Sequence, residues 1–158
     1  MFKITIVSVG ALKERYFAEA AAEYEKRCSP YAKIVHVNLR EEPDGAGHTG
    51  DIEAALAREG ARILECLPQR AYKVALCVEG RSYTSEQFAA LCEKAKNERG
   101  ELCFVIGSSH GLSETVKAAC DLRLSVSALT FPHRLMRVIL AEALYRALSI
   151  SAGGKYHK

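Results

Sequence analysis

The chain has 158 residues, 49% of them apolar and 26% charged, the balance of an ordinary globular protein with no low-complexity segment. A net charge of +3 permits an RNA partner without demanding one, since non-specific nucleic-acid binders are more basic. The opening MFKITIVSVG is too short an apolar run for a signal peptide, and no stretch approaches the length of a membrane span, so a cytoplasmic protein is expected.

Phe2–Val9 is a β-branched apolar run and predicts a strand. Helical spacing follows over Lys13–Cys28, with Tyr16, Phe17, Ala20 and Tyr24 on one face. Lys33–Leu39 alternates and predicts a second strand, and Arg40–Gly50, rich in Glu, Pro, Asp and Gly, predicts a loop. Asp51 is placed to cap a helix that runs to about Leu67 on Ile52, Leu56, Ile63 and Leu67. Tyr72–Val78 predicts a strand, Glu79-Gly80-Arg81 a turn, and Thr84 with Gln87 a capping box for a helix to about Asn97. Cys103–Ile106 predicts a strand ending at Gly107, Ser113–Ala119 a short helix, and Leu122–Leu124 a strand running into small and hydroxyl residues, Ser125–Thr130. Phe131-Pro132-His133 then leads into a long helix, Arg134–Ile150, followed by the tail KYHK.

A βα unit repeated about five times implies an α/β fold: a single three-layer α/β/α domain over residues 1–158, with a mostly parallel sheet and helices on both faces. Ligands of such sheets sit beyond the carboxyl ends of the strands. Two strand ends, at Gly107 and Ser125, open into tight loops of small residues, which suits a small polar ligand held by main-chain groups. Taken alone, Gly107–Gly111 is a structural turn. GxGxxG is absent, and the tail GGK lacks the upstream glycine of a P-loop.

Six cysteines, Cys28, Cys66, Cys77, Cys92, Cys103 and Cys120, show no CxxC spacing and no histidine arranged for a zinc knuckle. They read as buried, reduced small hydrophobes, and no metal is expected. The last helix is apolar nearly all round, so it is expected to meet the sheet on one side and a second subunit on another, with Leu144 and Leu148 as outward positions. Glu142 and Arg146 stand at i,i+4 in the favourable order: a structural ion pair, or a setting that aims Arg146 or Arg137 at RNA. A four-residue tail is ordinarily a disordered end, yet Lys155, Tyr156, His157 and Lys158 combine charge with a stacking ring. Taken alone, His133 reads as a helix-capping or structural residue at the mouth of the loop, while His36, His48 and His110 look incidental.

The motifs VIG-x3-GL, LS-x-S-x-LTFPH, R-x2-L-x-E-x-LYRA and the terminal YHK resemble the SPOUT class of methyltransferases, which carry a C-terminal trefoil knot. More narrowly, they are similar to the bacterial enzymes that methylate N3 of a pseudouridine in large-subunit ribosomal RNA. ITIVSVG-x-LKERY and LCVEGR extend the likeness over the whole chain. The resemblance implies S-adenosyl-L-methionine as cofactor, held by Leu76, Gly107 and Val126 to Phe131: Val126, Ser127, Ala128, Leu129, Thr130 and Phe131. It also implies a homodimer acting on Ψ1915 of 23S rRNA within the assembled ribosome. Catalytic roles would then fall to His133, Arg137, Arg146, Tyr156 and His157. Where the family often has a second glycine, this chain has Ser108, which would place a side chain beside the ligand. The rival readings are an RNA-binding or ribosome-assembly module of the same fold without catalysis, and a metabolite-binding regulator, which would keep the pocket but not need the tail.

Overall fold

The computed structural model describes residues 1–158. The elements follow in the order β1 (Phe2–Val9), α1 (Arg15–Cys28), β2 (Ala32–Leu39), α2 (Thr49–Cys66), β3 (Tyr72–Ser82), α3 (Ser85–Arg99), β4 (Glu101–Ile106), α4 (Glu114–Ala118), β5 (Leu122–Ser125) and α5 (His133–Ser151). The five strands form one sheet ordered β2-β1-β4-β3-β5, and every pair is parallel. This strand order is consistent with the knotted topology that the resemblance implies.

Alternation along the central strands divides the core between two faces. Phe2, Ile4 and Ile6 of β1 join Leu102, Phe104 and Ile106 of β4 beneath α3 and α5, in a cluster with Phe88, Leu140 and Leu144. Val7 and Val9 join Cys103 and Val105 on the other face, beneath Ile63 of α2 and Val116 of α4. Strands apolar on both faces are what a sheet covered by two helix layers requires.

Four expectations change. Tyr16 is 66% exposed, and Ala21 and Cys28 are the buried residues of α1. Helix α2 begins at Thr49 with His48 at its N-cap, so Asp51 is no cap but an acid in the first turn, where it favours the helix dipole. Glu79-Gly80-Arg81 is not a turn: β3 continues to Ser82, and its pairing with β5 shifts register between Leu76 and Arg81. Gly80 is required there, because a Cβ would lie 2.6 Å from the Leu124 carbonyl carbon. Leu144 and Leu148 belong to the core rather than to an outward face, with Leu144 fully buried. The Thr84–Gln87 capping box forms as expected, and Gly100 closes α3 in the left-handed conformation at φ 71°.

Candidate active site

A cavity of about 730 Å³ opens at the carboxyl ends of β3, β4 and β5. Leu76 and Gly107 line it, with Val126, Ser127, Leu129, Thr130 and Phe131 from the loop after β5; Ala128 alone of the expected set does not. This loop makes no main-chain hydrogen bond to the rest of the fold. It is braced only by its own serines: Ser125 Oγ donates to the Ser127 carbonyl at 3.0 Å, and Ser127 Oγ accepts from Leu129 N–H at 3.0 Å. Leu129, 71% exposed, and Val126 add apolar surface beside unpaired main-chain donors and acceptors. Such a lining suits a small ligand with both apolar and polar parts.

Gly107 has a different reason from the one its position suggests. A Cβ there would overlap the Gly111 carbonyl, so the glycine lets the loop close on itself through the Ser108–Gly111 bridge. Ser108 lines the cavity as expected, and its buried hydroxyl is engaged within the protein, donating to Glu59 Oε1 at 2.9 Å. Three further cavity residues escaped sequence reasoning. His110 lines the cavity and pairs with Asp44 at 2.8 Å, and Lys117 pairs there with Glu79. Only partners far apart in sequence reveal them.

The amino end of α5 meets the loop after β1. His133 lines the cavity, and its Nε2 is buried without a hydrogen bond, packed against Gly10. Arg137 lies one turn on, with Nη1 donating to the Gly10 carbonyl at 3.4 Å and Nε making no hydrogen bond. Burial lowers the Arg137 pKa, partly countered by Glu25. Arg134 pairs with Glu14 at 2.6 Å.

The other three expected catalytic residues gather at the carboxyl end of α5. Glu142 Oε1 accepts from Arg146 Nη2 at 2.7 Å, Arg146 Nε at 3.0 Å and Tyr156 Oη at 3.1 Å. His157 Nδ1 lies 3.1 Å from Arg146 Nη1, and its Nε2 lies 2.8 Å from Glu86 Oε1, an arrangement in which Nε2–H donates to Glu86 and Nδ1 accepts from Arg146. The Tyr156 ring packs at 4.6 Å from Tyr145 and 4.7 Å beneath the Arg146 guanidinium. The tail is thus docked on its own chain rather than loose. A smaller cavity of about 220 Å³ runs from Arg146 and Glu142 to Leu124, Ser125 and Val126, which it shares with the larger one.

All six cysteines are free, and burial pushes the thiols of Cys28, Cys92 and Cys103 up to about 12. No three His, Cys, Asp or Glu side chains converge as a metal site. No helix is long and apolar enough to cross a membrane.

Comparison with known proteins now places the chain. The family described as "Predicted SPOUT methyltransferase" matches residues 2–157. The ribosomal RNA large subunit methyltransferase H of Listeria monocytogenes is 44% identical over 158 residues, 98% of this chain and 99% of that protein. Its namesakes from Caldicellulosiruptor bescii and Carboxydothermus hydrogenoformans are each 42% identical, over 98% and 99% of this chain and 99% of each of those proteins. Among solved structures, a probable methyltransferase from Bordetella pertussis aligns with a TM-score of 0.57 at 18% identity, covering 93% of this chain and 94% of that one. A probable methylase family protein from Haemophilus influenzae gives 0.55 at 16% identity, covering 100% and 72%. These two support the fold alone.

Proposed function

We propose a reaction for this chain, which belongs to the SPOUT methyltransferase family: transfer of a methyl group from S-adenosylmethionine to N3 of Ψ1915 in 23S rRNA, on the assembled ribosome. The large-subunit ribosomal RNA substrate follows the names of relatives aligned over nearly their full length. The observation that carries the catalytic reading is His133: a buried, unpartnered imidazole nitrogen at the wall of a cavity bounded by an otherwise unbonded main-chain loop.

The sulfonium of S-adenosylmethionine, when bound, supplies an electrophilic methyl group. The main chain of Val126–Phe131 holds the ligand, while Leu76, Val126 and Leu129 cover its apolar parts and exclude water. His133 accepts or holds the N3 proton of the pseudouridine. Arg137, a cation in a partly desolvated place, favours the imidate anion left behind. Arg146, Tyr156 and His157 form the second cluster, suited to RNA by charge and ring stacking. The protein works in the cytoplasm as a homodimer. Partly buried Leu135, Val138 and Ile139 on α5 support a second subunit there, which would bring one protomer's tail toward its partner's cavity.

Calorimetric titration with S-adenosylmethionine, followed by methyl incorporation into ribosomes lacking this modification, tests the reading. Cofactor binding with methylation at N3 is the expected result. Ribosome binding without turnover would make the chain a catalytically inactive assembly module, and cofactor binding indifferent to ribosomes would make it a metabolite-binding protein.

A further inference from the structure

Glu59 lies midway along α2 and is 3% exposed, on a helix face otherwise buried through Ala55, Gly60 and Ile63. Its two carboxylate oxygens have separate tasks. Oε1 accepts from Ser108 Oγ at 2.9 Å, in the loop that follows β4 and lines the large cavity. Oε2 accepts from the Glu42 main-chain N–H at 2.9 Å, in the loop between β2 and α2. Both donors are neutral, so the carboxyl group sits inside the protein on hydrogen bonds alone. An apolar side chain would be less costly to bury at that position.

The surrounding contacts give the group a purpose. The loop between β2 and α2 also reaches the cavity loop through Glu41 on Ser109, at 3.2 Å, and Asp44 on His110, at 2.8 Å. Glu59 is the buried member of this clasp and the one that touches both loops at once. Gly60 makes the reach possible: a Cβ there would lie 2.7 Å from Ser113 Oγ, the cap of α4, so only glycine lets α2 come this close.

We propose that Glu59 is a positioning residue for the cofactor cavity, fixing the Gly107–Gly111 loop through Ser108 so that its main chain faces the ligand. This rests on the S-adenosylmethionine reading above and adds to it a residue that never touches the ligand.

The test compares the wild type with Ser108→Ala, Glu59→Ala, their double variant and Glu59→Gln. It measures calorimetric affinity for S-adenosylmethionine, melting temperature and KM for ribosomes. Ser108→Ala should weaken cofactor binding about tenfold, the cost of one buried hydrogen-bonding group left unpaired, and Glu59→Ala, which frees the Glu42 N–H as well, by at least as much. The double variant should lose no more than Glu59→Ala alone, because Ser108 acts through its contact with Glu59. Glu59→Gln should recover to within about threefold, since its amide can still accept from Glu42 and face the Ser108 oxygen. KM for ribosomes should not change. A lowered melting temperature with unaltered cofactor affinity in Ser108→Ala and Glu59→Ala would make Glu59 a packing residue only and overturn the proposal. If Glu59→Ala does not fold, Ser108→Ala against Glu59→Gln decides by the same criterion. Wild-type protein that binds no S-adenosylmethionine would overturn this proposal and the underlying reading together, whereas wild-type binding with indifferent variants overturns this one alone.

Discussion

At the amino end of α5, His133, Arg134 and Arg137 crowd against the loop after β1, and each keeps one buried nitrogen without a hydrogen bond; Glu14 opposite them keeps one such oxygen. At the carboxyl end, Arg146 is bound to Glu142 and His157, His157 to Glu86, and Tyr156 to Glu142. The same helix thus carries two cationic clusters in opposite conditions. Unpaired buried groups cost stability, and that cost is tolerated where a further group will complete the set. A fully paired cluster strengthens the fold but must give up contacts before it can hold anything else. The comparison supports the proposed roles of His133 as proton acceptor and Arg137 as the stabilising cation at the amino end, and under the same proposal the tail must leave its docked contacts before it can hold RNA.

The largest effect should come from the amino end. Arg137→Ala should lower methyl transfer to ribosomes about 100-fold, the scale of losing one preorganised charge. Its melting temperature should hardly move, because the residue removed is a desolvated cation with an unpaired Nε. Cofactor affinity should also persist, since Arg137 does not line the cavity. Retained turnover with a marked loss of stability would reverse the roles of the two ends.

How far the sequence revealed these regions depends on pattern strength. β1, β2 and β4 were legible because β-branched runs bounded by polar loops have few other readings, and the Thr84–Gln87 box announces its helix directly. The cavity was legible through its two strand ends. The phase of α5 is not legible: a helix apolar all round gives no periodic clue to which leucines face inward, and Leu144, which the sequence allows as an outward position, lies in the core. Glu79–Arg81 resembled a turn because its glycine serves a close approach of β3 to β5, which only the folded sheet displays. Glu59 was invisible because a glutamate inside an amphipathic helix reads as surface, and its partners are distant in sequence.

A chain ending at Gly154 sharpens the carboxyl side of the comparison. A disordered end could be removed without effect on stability, but Tyr156 and His157 are bonded and stacked. Their loss should lower stability by about 1 kcal/mol, since partly exposed contacts to carboxylates are worth little more. For a domain of this size that corresponds to roughly 2–4 °C in Tm. Cofactor affinity should survive, because the loop after β5 is untouched, while methylation of ribosomes should be lost. Full turnover by the truncated protein would reduce the tail to a structural strap, and an unchanged Tm would show that its docking carries no energy.

The smallest effect concerns the state of the docked tail. Burial, and after it the neighbouring Glu142 carboxylate, raise the Tyr156 pKa above the ordinary tyrosine value, because both disfavour a phenolate. The folded state therefore binds this proton more tightly than the unfolded chain does. Its contribution to docking is complete below about pH 10, the unperturbed value, and is lost as pH rises through the higher folded value. In an alkaline absorbance titration, the difference between wild type and Tyr156→Phe should titrate later than free tyrosine. Over the same interval the tail should become sensitive to cleavage after Lys155, whereas Tyr156→Phe, lacking the hydroxyl that Glu142 accepts, should show no such step. Titration of Tyr156 at or below the free value would mean that the phenol is not held against Glu142, and the contrast between the two ends of α5 would then rest on Arg146 and His157 alone.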